Sequence, residues 1–179
     1  VGTLEQRVAM RTAKLEQRTR YLEASAGVSR AVTSILDVDD FIRQVVEIIR
    51  DRFKLYYVGL FLVDETHTWA VLRAGTGEAG QAMLARGHRI EIGEGMIGWS
   101  VANARPRVAL EAGEDAVRLA TAELPDTRSE AALPLRSRDQ VLGAITVQSS
   151  QPDAFDEDTI TVLQSMADQV AVALDNARL

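Results

Sequence analysis

The run Gly93-Glu94-Gly95-Met96-Ile97-Gly98 spells G-x-G-x-x-G. In a dinucleotide-binding turn that spacing lets backbone N–H groups approach a pyrophosphate at a helix N-terminus. Such a turn needs a fully buried parallel strand before it, a crossover helix after it, and an acidic residue ~20 positions further on. Here the preceding HRIEI alternates polar and apolar residues, which suits an antiparallel strand with one wet face. The following helix has about two turns before Pro106, short of a usual crossover connection. Glu111, the nearest stand-in for the ribose-binding acid, comes too early, and no Lys-Ser/Thr pair follows the last glycine as a P-loop requires. The glycines spell a nucleotide motif without its context.

Other chemistry is as sparse. The chain has no cysteine, which removes disulfides, thiolate ligands, thiol nucleophiles and thioether-linked groups together. His67 lies in a turn and His88 at a strand start, where a solvated imidazole is the ordinary case, so neither reads as a metal or haem ligand. No Ser/His/Asp constellation appears, and no catalytic or metal residue is assigned. Arg128 and Ser129 stand where a long acidic segment meets a strand. They either hold an anionic or polar ligand, or close the loop through a salt bridge to Glu111, Glu114 or Asp115. Trp99 either fills core or walls a pocket. A net charge of -6 argues against nucleic acid or an anionic membrane as partner. The longest apolar run, Leu55 to Val63, falls short of the ~20 residues a membrane helix needs.

The elements around these residues follow from periodicity. Val8, Leu15, Leu22, Ser29 and Leu36 recur every seventh position, with Thr12, Thr19, Ala26 and Thr33 on the alternate seam. That is a coiled-coil period with a weak, partly polar seam, so residues 1–36 are expected to pair with a copy of themselves. The alternative is an amphipathic helix lying on its own domain. Asp37 caps a second helix to Phe53 with a broad apolar stripe. YYVGLFLV and WAVLRA make a hairpin about a turn at 64–68, a short helix is expected over 81–85, and HRIEI is the third strand. A helix over 97–104, a short strand RVAL, and an irregular segment over 111–128 lead to a second hairpin, SEAALPLRS and QVLGAITVQSS, turning at Arg138-Asp139. Both of its strands are apolar on two faces. Asp156 caps the last helix, where Ile160, Leu163, Ala167, Val170, Leu174 and Ala177 again follow a heptad seam. The class is α+β, a six-stranded antiparallel sheet flanked by helices, with long N- and C-terminal helices. The domains are 1–36, a linker helix, and 37–179, a sheet domain that includes the helix 156–179. The chain opens on Val-Gly inside a helical pattern and ends inside a helix, so it is expected to be part of a longer protein.

Four blocks in order, GEGMIGW with its short helix and Pro106, LPDTRSEAALPLR, VLGAITVQSS and LQSMADQVAVALDNARL, resemble a GAF domain over Val38 to Leu179. LEQRVAMRTAKLEQR resembles the linker helices that precede such domains in bacterial sensor histidine kinases and cyclase regulators. The resemblance implies a regulatory, non-catalytic domain, usually dimeric, with a small-molecule pocket on one face of the sheet. Bilin-binding and methionine-sulfoxide-reducing members need cysteines, and haem-binding members use a histidine ligand. The Asn-Lys-x-x-x-Phe-x-x-x-Asp-Glu signature of cyclic-nucleotide binders is absent from this sequence. No cofactor is therefore identified.

On that resemblance Gly93 and Gly95 turn the chain out of the third strand, and Gly98 lets the short helix pack closely. Phe61, Leu72, Met96, Ile97, Trp99, Arg128, Ser129, Ala131 and Leu133 are the candidate ligand-contacting residues. Two functions follow. One is a cytoplasmic sensor of an unknown small molecule, a homodimer that relays its signal through the terminal helices of a two-component or related protein. The other is a ligand-free dimerisation and relay module.

Overall fold

The computed structural model describes residues 37–177. The heptad helix expected over 1–36, and the last two residues of the chain, lie outside the described residues. Helix α1 spans Val38–Phe53, with Asp37 accepting the N–H of Asp39 at 2.9 Å as its N-cap. It buries Phe41, Ile42, Val45, Val46 and Ile49 along one stripe and closes on Lys54 in the left-handed region. Strands β1 (Tyr57–Val63) and β2 (Trp69–Gly75) form the first hairpin. Asp64 Oδ1 organises its turn by accepting the N–H groups of Thr68 at 3.0 Å and Trp69 at 3.2 Å.

Helix α2 runs over Gly77–Ala85, earlier than the expected 81–85. Glycine lowers helix propensity, but packing overrides it here. A Cβ on Gly80 would land on the backbone carbonyl of Gly75, so only glycine brings this helix against β2. Strand β3 is Arg89–Glu91, α3 is Gly95–Asn103, and β4 is Arg107–Ala109. The 111–128 segment is irregular apart from one 3-10 turn at Ala112–Glu114. Strands β5 (Ser129–Ser137) and β6 (Gln140–Ser149) turn at Arg138 and Asp139, φ 52° and 64°. Two consecutive left-handed residues match the twist of a tight hairpin. Helix α4 spans Glu157–Ala177, and Asp156 Oδ1 accepts the N–H of Thr159 at 2.8 Å.

The sheet order is β3-β2-β1-β6-β5-β4, antiparallel throughout. Strand alternation divides its side chains between two cores. Val58, Leu60, Ala131, Leu133, Leu135, Ile145 and Val147 meet α1 and α4 on one face. Tyr57, Phe61, Ala132 and Ala144 meet Met83 of α2 and Met96 and Ile97 of α3 on the other. A register shift between Leu60 and Phe61 pairs Leu60 with Ala74 but Phe61 with Leu72. The bulge lets Ala70 and Leu72 serve the second core while Ala74 serves the first.

The stripe on α4 has a different role from a coiled-coil seam. Leu163, Ala167, Val170 and Leu174 are buried in the chain's own core. Over a few turns a period of 3.5 cannot be told from 3.6, so the same spacing served both readings. Val172, half exposed, lies on the outward side of the helix.

The glycines of the opening motif are a strand-to-helix turn. Gly93 and Gly95 have φ of 98° and 65°, and Gly93 N–H donates to the carbonyl of Gly98 at 2.9 Å. A Cβ on Gly98 would run into the carbonyl of Glu91. The sheet is antiparallel, and the connection after α3 leads to β4, which pairs with β5 at the opposite edge from β3.

Candidate functional site

Strands β1, β6 and β5 place Tyr57, Gln148 and Glu130 side by side, because Tyr57 pairs with Gln148 and Gln148 with Glu130. Two positions along, Thr146 faces the same side. These polar groups stand on an otherwise apolar face, below the 115–124 stretch of the irregular segment. Together with Phe61, Met83, Met96, Ile97 and His88 they line a narrow cavity of about 30 Å³. That is room for about one or two waters.

The polar lining is one connected network. Glu130 is buried, and its carboxylate accepts Arg118 Nε–H at 2.7 Å on Oε1 and the Thr146 hydroxyl at 2.8 Å on Oε2. Gln148 Nε2 donates to Thr146 Oγ1 at 3.1 Å, and Gln148 Oε1 accepts the Thr127 hydroxyl at 2.7 Å. Burial pushes the Glu130 carboxyl above its ordinary range, although Arg118 and Thr146 oppose it. Tyr57 is also buried and its hydroxyl has no hydrogen-bond partner among the described residues. Burial, with the nearby charges of Glu130 and Glu123, pushes that phenol well up.

A second chain of contacts positions Arg118. Asp115 Oδ1 accepts the N–H of Val117 at 2.9 Å and that of Arg118 at 3.0 Å, a side-chain-stabilised turn. Arg107 holds Asp115 from the other side, Nε to Oδ2 at 3.2 Å, and its guanidinium lies 5.0 Å from the Trp99 ring centroid. Burial raises the Asp115 carboxyl, but the Val117 N–H, Arg107 and the Arg118 N–H outweigh it and hold it below its ordinary range. Trp99, Arg107, Asp115, Arg118 and Glu130 thus tie α3, β4, the irregular segment and β5 together.

Outside the cavity lies an open groove of about 570 Å³. His88, Ile90, Leu119 and Thr121 line both spaces, so the 119–121 stretch is the partition between them. Leu119 is 55% exposed and its Cδ1 lies 3.0 Å from where a Gly95 Cβ would sit. Among the described residues, no group of three or more His, Cys, Asp or Glu is placed to hold a metal ion, and no helix is long and apolar enough to cross a membrane.

The sequence model of one family, described as the GAF domain, matches residues 35–175. The chain belongs to the GAF-domain family. GAF domains are a family of regulatory ligand-binding domains. No curated protein sequence matches the chain. Among solved structures it is similar to the GAF domain of a phosphoenolpyruvate-protein phosphotransferase from Coxiella burnetii, at 21% identity and TM-score 0.79, covering 89% of this chain and 95% of that one. It is similar in the same degree to a free methionine-R-sulfoxide reductase from Neisseria meningitidis in complex with its substrate, at 22% identity and TM-score 0.79, covering 88% and 90%. At such identities the likeness is one of fold.

Within this GAF domain the candidate ligand residues separate. Phe61, Met96 and Ile97 line the cavity, and Leu72 is buried in the same core without reaching it. Ala131 and Leu133 face α1 and α4 instead, because alternation along β5 turns Glu130 and Ala132 toward the cavity. Trp99 is half-buried under Arg107 and is not part of the lining. Arg128 is exposed and closes the loop on Glu111, Nε to Oε1 at 3.1 Å and Nη2 to Oε2 at 3.2 Å. Ser129 is buried and donates to the carbonyl of Gln151 at 2.6 Å. His88 is no solvated imidazole. It is half-buried edge-on to Phe61, ring centroids 5.7 Å apart. Tyr57, Glu130, Thr146, Gln148 and Arg118 escaped the sequence reading. Their signal was polar residues at positions 130, 146 and 148 of strands otherwise apolar on both faces.

Proposed function

We propose that this GAF domain is the small-molecule-sensing, non-catalytic part of a multidomain signalling protein of the cytoplasm, such as a sensor histidine kinase. The observation that carries the reading is the buried polar network facing a cavity on one side of the sheet, with α4 packed on the other. Strand β5 joins the two sides. Glu130 faces the cavity, while Pro134, Arg136 and Ser137 touch α4. Gln164 Nε2 donates to the Pro134 carbonyl at 2.9 Å, Arg136 approaches Asp168 at 3.4 Å, and the Ser137 hydroxyl donates to Asp175 at 2.9 Å. A ligand that shifts Glu130 has a short mechanical path to the output helix. Such a ligand biases the helix only through its differential affinity for the two arrangements, typically about 1–3 kcal/mol of coupling. The dimer contact we propose runs through the 1–36 segment and the outward side of α4 around Val172.

The fold is shared with reductases of free methionine sulfoxide. This chain has no cysteine to serve as their thiol, and we expect it to leave that substrate unchanged in a coupled reductase assay. Native mass spectrometry of freshly purified protein tests the sensing reading. A retained or titratable small molecule supports it. A dimer that stays empty under every condition supports the relay module instead, a reading favoured by the small volume of the cavity.

A further inference from the structure

The 112–128 segment is tied to the rest of the domain in two unlike ways, by main chain at its base and by side chains beyond it. We propose that it is a flap that swings as one body about its own neck and opens the cavity to the outer groove. Such a flap controls access to the site of the sensing reading, and its purpose rests on that reading.

The neck is closed by main chain. Ala112 N–H donates to the carbonyl of Arg128 at 2.8 Å, and the Arg128 side chain pairs with Glu111. Both sides of the neck are pinned to the domain. Arg128 N–H donates to the carbonyl of Ser149 at 2.8 Å, and the carbonyl of Leu110 accepts Asp153 N–H at 2.9 Å. A loop whose ends meet in this way is an Ω-loop.

Beyond the neck the pattern changes. Among the described residues, no main-chain group from Asp115 to Thr127 bonds to a strand or a helix. The main-chain bonds there are internal. Val117 and Arg118 donate to the Asp115 side chain, and Leu124 N–H donates to the carbonyl of Thr121 at 3.0 Å. These bonds keep the loop in shape without holding it down. Side chains do that. Asp115 pairs with Arg107 of β4 near the neck, and Arg118 pairs with Glu130 of β5. The Thr127 hydroxyl donates to Gln148 of β6. Glu123 accepts Arg86, at the end of α2, on both oxygens at 2.9 and 3.1 Å. Leu124 is the plug, buried in the second core with Met83.

Opening this loop breaks a few side-chain contacts and no strand ladder, which places it among the low-stability motions of a fold. Its 119–121 stretch is the shared wall of the two spaces. A swing of the flap therefore merges the cavity of about 30 Å³ with the groove of about 570 Å³.

The chain has no cysteine, so one engineered thiol is the only one present. Met83→Cys places it on the cavity wall beside Leu124, and Ala167→Cys places it in the core on the other side of the sheet. Both positions are buried. Each thiol is labelled with an aromatic disulfide reagent in the whole 179-residue chain, across low concentrations of urea. Labelling of Met83→Cys should hardly depend on urea, because a swinging flap exposes little surface. Labelling of Ala167→Cys should follow global unfolding and rise steeply. Thr127→Val, which cuts the tie to β6, should speed Met83→Cys about fivefold. Glu123→Gln, which cuts the tie to α2, should speed it about two- to fivefold. Asp156→Ala weakens the cap of α4. It should speed Ala167→Cys about fivefold and leave Met83→Cys unchanged. Equal urea dependence of the two thiols overturns the inference, since the cavity would then open only by unfolding. A response to Glu123→Gln without one to Thr127→Val also overturns it, because α2 alone would be fraying. A flap that stays shut leaves the sensing reading to native mass spectrometry. A moving flap on a protein that is always empty removes that reading and keeps the flap.

Discussion

Replacing Arg118 with Met would leave Glu130 as a buried carboxylate whose remaining side-chain contact is the Thr146 hydroxyl. Breaking a buried pair from one side usually costs about 3–5 kcal/mol. Glu130 can escape part of that by taking up a proton. From its ordinary value of 4.5, protonation at pH 7 costs about 3.4 kcal/mol, which caps the loss from this cause. The native carboxyl is already raised by burial, so the difference between variant and parent at pH 7 falls below that cap. The sign follows from proton binding. A carboxyl whose folded pKa is raised contributes most below its unfolded value and loses that contribution as pH rises through the folded value. The variant raises it further, so the two curves coincide near pH 4.5 apart from a constant packing offset. They separate above the parent's raised pKa by up to about 1.4 kcal/mol per pH unit. Urea denaturation of both proteins across this range reads the difference directly, and adding Glu130→Gln to the variant should close most of it. A loss that stays constant from acid to neutral pH would refute the reasoning. It would mean that Arg118 acts through the packing of its stem and the loop, not through the charge of Glu130.

Three further outcomes test the frame around the site. Gly143→Ala places a Cβ against the carbonyl of Phe61 on the neighbouring strand, where backbone cannot give way. It should cost about 3 kcal/mol or more in urea denaturation, and a neutral result would mean that β1 and β6 separate more easily than their register implies. Asp156→Ala removes the oxygen that accepts the Thr159 N–H. A loss of about 1 kcal/mol is expected, with Asp156→Asn nearly neutral. Burial, aided by Arg86 and opposed by Glu123, holds His88 below its ordinary 6.5. The contribution of its neutral form is therefore whole above that value and disappears as pH falls through the folded pKa. An NMR titration should place His88 below 6.5, and a midpoint above it would contradict its packing against Phe61.

The fold was legible because local signals and tertiary packing agree. Asp37 and Asp156 cap the helices they were expected to cap, and Arg138-Asp139 turns the second hairpin. The misplaced features share a cause. SEAALPLRS is apolar on both faces, so nothing in the run says which face looks at α4 and which at the cavity. A shift of one residue exchanges Ala131 and Leu133 for Glu130 and Ala132. The Leu163 to Leu174 stripe was ambiguous in the same way between a partner helix and the chain's own sheet.

The site itself was hidden for a different reason. Arg118 and Glu130 lie twelve positions apart, joined by a segment with no period, and the turn that aims Arg118 depends on Asp115 being held by Arg107 from β4. Composition marked 111–128 as acidic and irregular, which is the pattern of a solvated loop. Yet Asp115 and Glu130 are each paired with an arginine in the interior, while Arg128, the basic residue that the sequence singled out, closes the loop from outside. Net charge along a segment does not distinguish these cases, because desolvation depends on which strand face a side chain occupies. The deciding signal was cross-strand. Glu130 pairs with Gln148, and Ala132 with Thr146, so two polar residues of β6 and one of β5 fall on one patch. Polar groups on facing strands of a buried sheet need one another or a ligand. Here Glu130, Thr146 and Gln148 satisfy one another, and Tyr57 is left over.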